Sequence, residues 1–298
     1  MSAARVTDRL NSGSPRPHPP RRRAHAVAGV AALVLALGQL AGGCALTSNA
    51  PPPAPTPVAI TPAATAMIAA LADRERSLHS VQSGAIMEYS GADGHHFRTH
   101  EEIALARPAS MRVEAIAPFG ATMVLAADEA GRLMIFDPGK NVLMSGGANA
   151  ATLERYVRIP LAPPAAVDLL MGLAPDPSQL AAPPDSVADT DGMTVVTWRT
   201  ADGGTRELGF AGGQLAMVRE RDKAGAQRYD VRYSDWRDAG GANFPHKVQA
   251  GFPASNLTLR YEAPALNPTL APALFVLTPA PGTRMISIDG GAAAGAAG

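Results

Sequence analysis

From Gly84 onward, apolar and polar positions trade places with a period of two. "GAIMEYS" (84–90), "HHFRTHEEIALA" (95–106) and "MRVEAIA" (111–117) read as strands joined by short turns. "TMVLAAD", "RLMIFD" and "VLMS" extend the meander, separated by "EAG" and "DPGKN" turns. Two stretches switch to helical spacing, about 149–157 ("NAATLERYV") and 164–172 ("PAAVDLLMG"). A Pro-rich loop over 173–190 follows. Strands then resume as "MTVVTWRT", "TRELGF", "QLAMVRE", "QRYDVRYS", "FPHKVQA" and "NLTLRYE", which makes about twelve strands. Ahead of the meander, Thr61 is an N-cap candidate with Pro62 in the first helical position. Met67, Ile68, Leu71 and Leu78 keep roughly helical spacing behind them.

The strand faces differ along the chain. "QRYDVRYS" sets Tyr229, Val231 and Tyr233 on one face and Arg228, Asp230 and Arg232 on the other, and "NLTLRYE" alternates in the same way. Each of these strands has one wet face. "TMVLAA" and "RLMIF" are apolar on both: Val124 stands between Met123 and Leu125, and Met134 and Phe136 flank Ile135. Something apolar has to cover the second face, and the two helices that follow are the natural cover. A curved sheet with helices across its mouth encloses either a packed core or a cavity, and the pattern fits both.

The N-terminus has a different composition. Residues 1–43 hold six Arg, including Arg21-Arg22-Arg23, and one acid, Asp8. The rest of the chain then has 20 basic and 25 acidic residues, although the whole chain is neutral. After the arginines comes "AHAVAGVAALVLALGQLAGGC", an apolar run of roughly 15 residues, too short to span a bilayer comfortably. A positive segment, a short apolar run and small residues describe a secretory signal, 1–43. It leads into Cys44, the only cysteine in the chain. "LAGGC" resembles the bacterial lipobox, whose cysteine receives lipid, although Leu40 stands four residues before Cys44 where three is usual. The resemblance makes Cys44 the lipidation site. Its covalent lipid is the only attached group expected. Ala45, which is not Asp, points by resemblance to enterobacterial lipoprotein sorting to the outer membrane. Residues 44–61 read as a Pro-rich tether. The folded domain is expected over 62–288 and a disordered Gly/Ala tail over 289–298.

Little in the sequence points to catalysis or metal. It contains no GxSxG, no Walker loop and no HExxH. His96 and His100 share a strand face but stand about 13 Å apart, and "DTDG" (189–192) reads as a turn. A catalytic site, a metal site and a nucleic-acid partner are therefore not expected. One turn stands out. Pro118-Phe119-Gly120-Ala121 places a phenylalanine where a turn normally faces water. Phe119 either meets an apolar partner or folds back onto the core.

Three stretches in order, "APFGATMVLAADEAGRLMIFDPGKN", "ATLERYVRIPLAPPAAVDLLMGLAP" and "ALFVLTPAPGTRMISID", together with the lipobox, resemble the LolA/LolB superfamily of periplasmic lipoprotein carriers and outer-membrane receptors. The resemblance spans about residues 65–288. It implies an unclosed antiparallel β-barrel of about eleven strands, with a helical lid over a hydrophobic cavity. It further implies a LolB-like receptor, lipid-anchored at the outer membrane and facing the periplasm. Such a receptor binds lipoprotein acyl chains, takes them from a periplasmic LolA-like carrier, and is not an enzyme. On this resemblance Phe119 aligns with an exposed membrane-contacting residue. Met123, Leu125, Met134, Phe136, Leu153, Val167 and Leu170 are the cavity candidates. A lipid- or lipoprotein-sensing module and a structural lipoprotein of the same fold are the alternatives.

Overall fold

Thr61 starts the first helix. Its Oγ1 accepts the Ala64 N–H at 3.1 Å, and Pro62 supplies a preset φ where no N–H is needed. The helix, α1 (Pro62–Ser77), buries Ala64, Leu71 and Glu75 along one side. The computed structural model describes residues 60–117 and 120–289. All of them belong to one compact unit, Pro55–Gly298. The signal, Cys44, nearly all of the tether, Phe119 and the expected tail beyond Asp289 lie outside the described residues; Asp289 itself is described and accepts the Gly147 N–H at 2.8 Å.

The period-two segments form the strands β1 (Ser80–Gly91), β2 (His96–Ala106), β3 (Ser110–Ala117), β4 (Gly120–Ala127), β5 (Arg132–Asp137) and β6 (Val142–Gly147). After the helices come β7 (Ser186–Thr190), β8 (Met193–Arg199), β9 (Thr205–Ala211), β10 (Gln214–Arg221), β11 (Gln227–Asp238), β12 (Asn243–Phe252) and β13 (Ser255–Tyr261). Two short strands, β14 (Ala265–Leu266) and β15 (Arg284–Ser287), complete the described set. The order across the sheet is β15-β6-β5-β4-β3-β2-β1-β13-β12-β11-β10-β9-β8-β7, with β14 paired to β1. β15 and β7 do not pair with each other, so the barrel is unclosed.

Fifteen described strands replace the twelve or so expected, and the three additions share a reason. β7 sits inside the Pro-rich stretch, β14 is two residues long, and β15 is a four-residue segment running parallel to β6. None is long enough to show a period. "DTDG" is the β7–β8 turn: Asp191 (φ 53°) and Gly192 (φ 75°) are the two loop residues between the paired Thr190 and Met193. Two positive φ values in succession form the turn type that matches strand twist.

The two halves of the sheet are filled differently. Against β8–β12, the inward residues Val196, Trp198, Leu208, Phe210, Val218, Tyr229, Val231, Tyr233, Phe244 and Val248 pack with α1 in the main core cluster, and none of them borders the cavity described below. Trp198 is core, its indole N–H donating to the Ala182 carbonyl at 3.0 Å. The clean alternation of 227–234 is reproduced, with Tyr229, Val231 and Tyr233 buried. On the wet side Arg219 bridges Glu207 and Asp230.

Two helices lie over the other half. α2 (Ala150–Val157) opens with a reciprocal cap, Asn149 accepting from the Thr152 N–H and Thr152 Oγ1 from the Asn149 N–H. α3 (Pro163–Leu170) ends in a Schellman motif: the Leu173 N–H reaches the Asp168 carbonyl at 2.9 Å and the Gly172 N–H the Leu169 carbonyl at 3.2 Å. Gly172 has φ 71°, and a Cβ there would lie 2.7 Å from Pro245 Cγ, so both backbone and packing require glycine. The carbonyls at this helix end are taken by side chains of three elements. Tyr233 Oη donates to Leu169 O at 3.0 Å, Tyr261 Oη to Leu170 O at 2.8 Å, and Arg74 Nη2 to Met171 O at 3.3 Å. α3 is therefore pinned at its C-terminal end, whereas α2 rests chiefly on Leu153.

Candidate functional site

The alternate residues of β13, β1, β2, β3 and β4 that face α2 and α3 join the helices in one core cluster without filling all the space between. They leave a cavity of about 410 Å³, within the range of small-molecule sites. Its floor is Leu257 and Leu259 from β13, Met87 and Tyr89 from β1, Phe97, Thr99, Glu101 and Ile103 from β2, Met111, Val113 and Ala115 from β3, and Met123 and Leu125 from β4. Its roof is Leu153, Tyr156 and Val157 of α2, Arg158 and Ile159 of the link, and Ala166 and Leu170 of α3. Ser255 Oγ ties that link to the start of β13 through the Arg158 carbonyl, at 3.2 Å.

The cavity has an end. The β1–β2, β3–β4 and β12–β13 connections all lie at one end of the sheet, because the antiparallel register pairs Gly91 with Ser255 and Ala117 with Gly120. Tyr89 and Phe97 stack there, ring centroids 4.9 Å apart. Phe97 and Met123 remain 43% and 45% exposed, as apolar side chains at a rim.

Among the cavity candidates, Met123, Leu125, Leu153 and Leu170 line this space together. Val167 is wholly buried in the core beside it and does not line it. Met134 and Phe136 correct the expectation. Val124 pairs with Phe136, Ala126 with Met134, and Phe136 with Leu143, so these residues share the opposite face of the sheet. Met134, Ala126 and Leu143 form a second cluster there, joined by Phe136 and covered by Val276 and Leu277. The second apolar face is thus covered by the C-terminal segment and not by the helices.

Glu101, which the sequence pattern did not single out, is a charged residue 1% exposed in a mainly apolar lining whose other polar members are Thr99, Arg158 and Ser255. Burial pushes its carboxyl pKa up, against the Thr99 hydroxyl and His100. The parity of β2 carried the signal, since Glu101 is in step with Ile103 and Leu105, both buried. No group of three or more His, Cys, Asp or Glu suited to a metal occurs among the described residues. No described helix is long and apolar enough to cross a membrane.

Behind the roof lies a second buried polar group. Asp168 of α3 pairs with Arg107 at 2.8 Å, and Glu75 of α1 accepts the Ala174 N–H at 3.3 Å. Burial pushes Glu75 up to about 7 and Asp168 up to about 6, outweighing the attraction of Arg107 in both cases. Both carboxyls hold their protons to higher pH when folded. The native state therefore binds more protons than the unfolded chain between about pH 4 and 7, and stability falls as pH rises through that window. The full ionisation of Glu75 corresponds to about 3 kcal/mol. Denaturant unfolding at pH 5 and pH 8 is expected to show this loss in the wild type and a smaller one in Glu75→Gln. Equal losses in the two proteins would remove Glu75 as its source.

No family model and no curated protein matches the sequence. Solved structures do. A DUF1329 family protein from Desulfovibrio piger aligns with 72% of this chain and 96% of its own, at a TM-score of 0.50 and 11% identity. The fold is shared with that protein. A LolA superfamily protein from Nitrosomonas europaea aligns with 70% of this chain and 97% of its own, at a TM-score of 0.46 and 9% identity. The architecture found is the unclosed half-barrel with a helical lid that the LolA/LolB resemblance of the sequence implies, antiparallel throughout except for the parallel β15–β6 pair.

Proposed function

We propose that the chain is a LolB-like member of the LolA/LolB superfamily, an outer-membrane lipoprotein that binds acyl chains of other lipoproteins and passes them into the membrane. The observation that carries this reading is the cavity, lined by aliphatic, aromatic and methionine side chains and walled on one side by a helix, α2, with few anchors of its own. Methionine is flexible and polarizable, and Met87, Met111 and Met123 suit a chain without fixed shape. In this reading Cys44 carries the lipid, the Pro-rich tether lets the domain reach into the periplasm, and a LolA-like carrier delivers cargo. The activity is binding and release, without catalysis. A lipid-sensing module of the same fold is the second reading, favoured by the same cavity. A structural lipoprotein with a filled core is disfavoured by it.

The test uses Cys44→Ser protein, purified from a periplasm and extracted for mass spectrometry of bound acyl chains. It is then mixed with a carrier loaded with labelled lipoprotein, and with liposomes. Bound chains and accelerated transfer to liposomes are expected. Bound chains without transfer would favour the sensing module, and neither would overturn the proposal.

A further inference from the structure

Glu101 sits where a chain-binding cavity has no use for a carboxylate. It stands on β2, in one cross-strand row with Ala85 on β1 and Ala115 on β3, so its two strand neighbours are small; Ala115 and Glu101 both line the cavity, and Ala85 is buried in the core beside it. Oε1 accepts the Thr99 hydroxyl at 2.5 Å. Oε2 is buried and has no hydrogen-bond partner among the described residues. A buried acceptor left unpaired is costly, and hydrocarbon cannot relieve that cost. A ligand donor placed beside it would.

We propose that the cavity selects amphiphiles whose apolar chain ends in a hydrogen-bond donor, an amide N–H or a hydroxyl, which Glu101 Oε2 accepts. An amide-linked acyl chain carries such a donor next to its carbonyl and an ester-linked chain does not. Glu101 would thus read how the chain is attached, while the apolar lining reads only that it is a chain. A site that spends a buried polar group on one substrate atom rejects the analogue lacking that atom more strongly than an apolar wall rejects a missing methylene.

This inference rests on the proposed acyl-chain binding, and the two fail separately. Binding of N-hexyl palmitamide, hexadecanol and hexyl palmitate is measured by competition with a fluorescent fatty acid. The proteins are Cys44→Ser and the same chain with Glu101→Leu or Glu101→Gln. Without the second substitution, the amide and the alcohol are expected to bind at least about tenfold more tightly than the ester. Glu101→Leu is expected to bind all three alike while still binding the probe, and Glu101→Gln, which keeps a carbonyl acceptor, to retain part of the preference. An advantage for only one of the two donors would tell amide from hydroxyl as the group read. Equal binding of donor and ester ligands, or a preference that survives in Glu101→Leu, would overturn the inference and leave the cavity's role intact. No binding of any chain, the probe included, would overturn both.

Discussion

Val113→Trp is expected to abolish acyl-chain binding and leave the fold in place. Val113 lies at the centre of the floor, paired with Ile103 on one side and Leu125 on the other, and its side chain faces the cavity. An indole there enters open space of about 410 Å³ and not a packed core, where overpacking costs about 1–3 kcal/mol. The melting temperature should change by a few degrees at most. Binding of a fluorescent fatty acid should weaken at least about a hundredfold, because the ligand loses contacts along most of its length. Unchanged affinity would mean that chains bind elsewhere, if they bind at all.

Phe119→Glu is expected to stop delivery to liposomes while sparing both stability and chain binding. The strands flanking this turn end at Ala117 and resume at Gly120. They do so at the sheet end where Phe97 and Met123 are exposed at the cavity rim. A phenylalanine carried there would enter the bilayer boundary with a gain of about 1.5–3 kcal/mol, enough to orient a tethered domain. Glutamate would resist that step, and Phe119→Leu should retain transfer. Melting and liposome transfer measured on both variants decide the matter. A large loss of stability in Phe119→Glu, or normal transfer, would return the ring to the core.

Where one strand face is wet, the sequence showed the fold directly. The alternation of Tyr229, Val231 and Tyr233 with charged residues specifies which side is inward, and the structure agrees. Where both faces are apolar, alternation carries no sign. Met134 and Phe136 have the same hydrophobicity as Ile135, and only the register of β4, β5 and β6 tells that they face away from the cavity. The cover for that face comes from residues more than a hundred positions later, Val276 and Leu277, a distance at which local pattern says nothing. Glu101 was hidden for another reason. It lies between the polar His100 and Glu102, so the start of β2 looks solvated on both faces. The difference between core and cavity was not legible at all, because it depends on how far the inward side chains reach and not on their polarity.

The parallel pairing of β15 with β6 has a consequence for how the protein is made. β6 is complete at Gly147, yet its free edge and the outward Met134 and Leu143 wait for residues 276–287. An unpaired strand edge beside an uncovered apolar face is a template for association with another chain. During synthesis the first six strands emerge well before the segment that covers them. The domain is therefore most vulnerable to aggregation while residues 276–287 are still to be made, and a chain shortened at about residue 270 would be held in that state permanently. The C-terminal segment serves as the closing clasp of a sheet built mostly from the front.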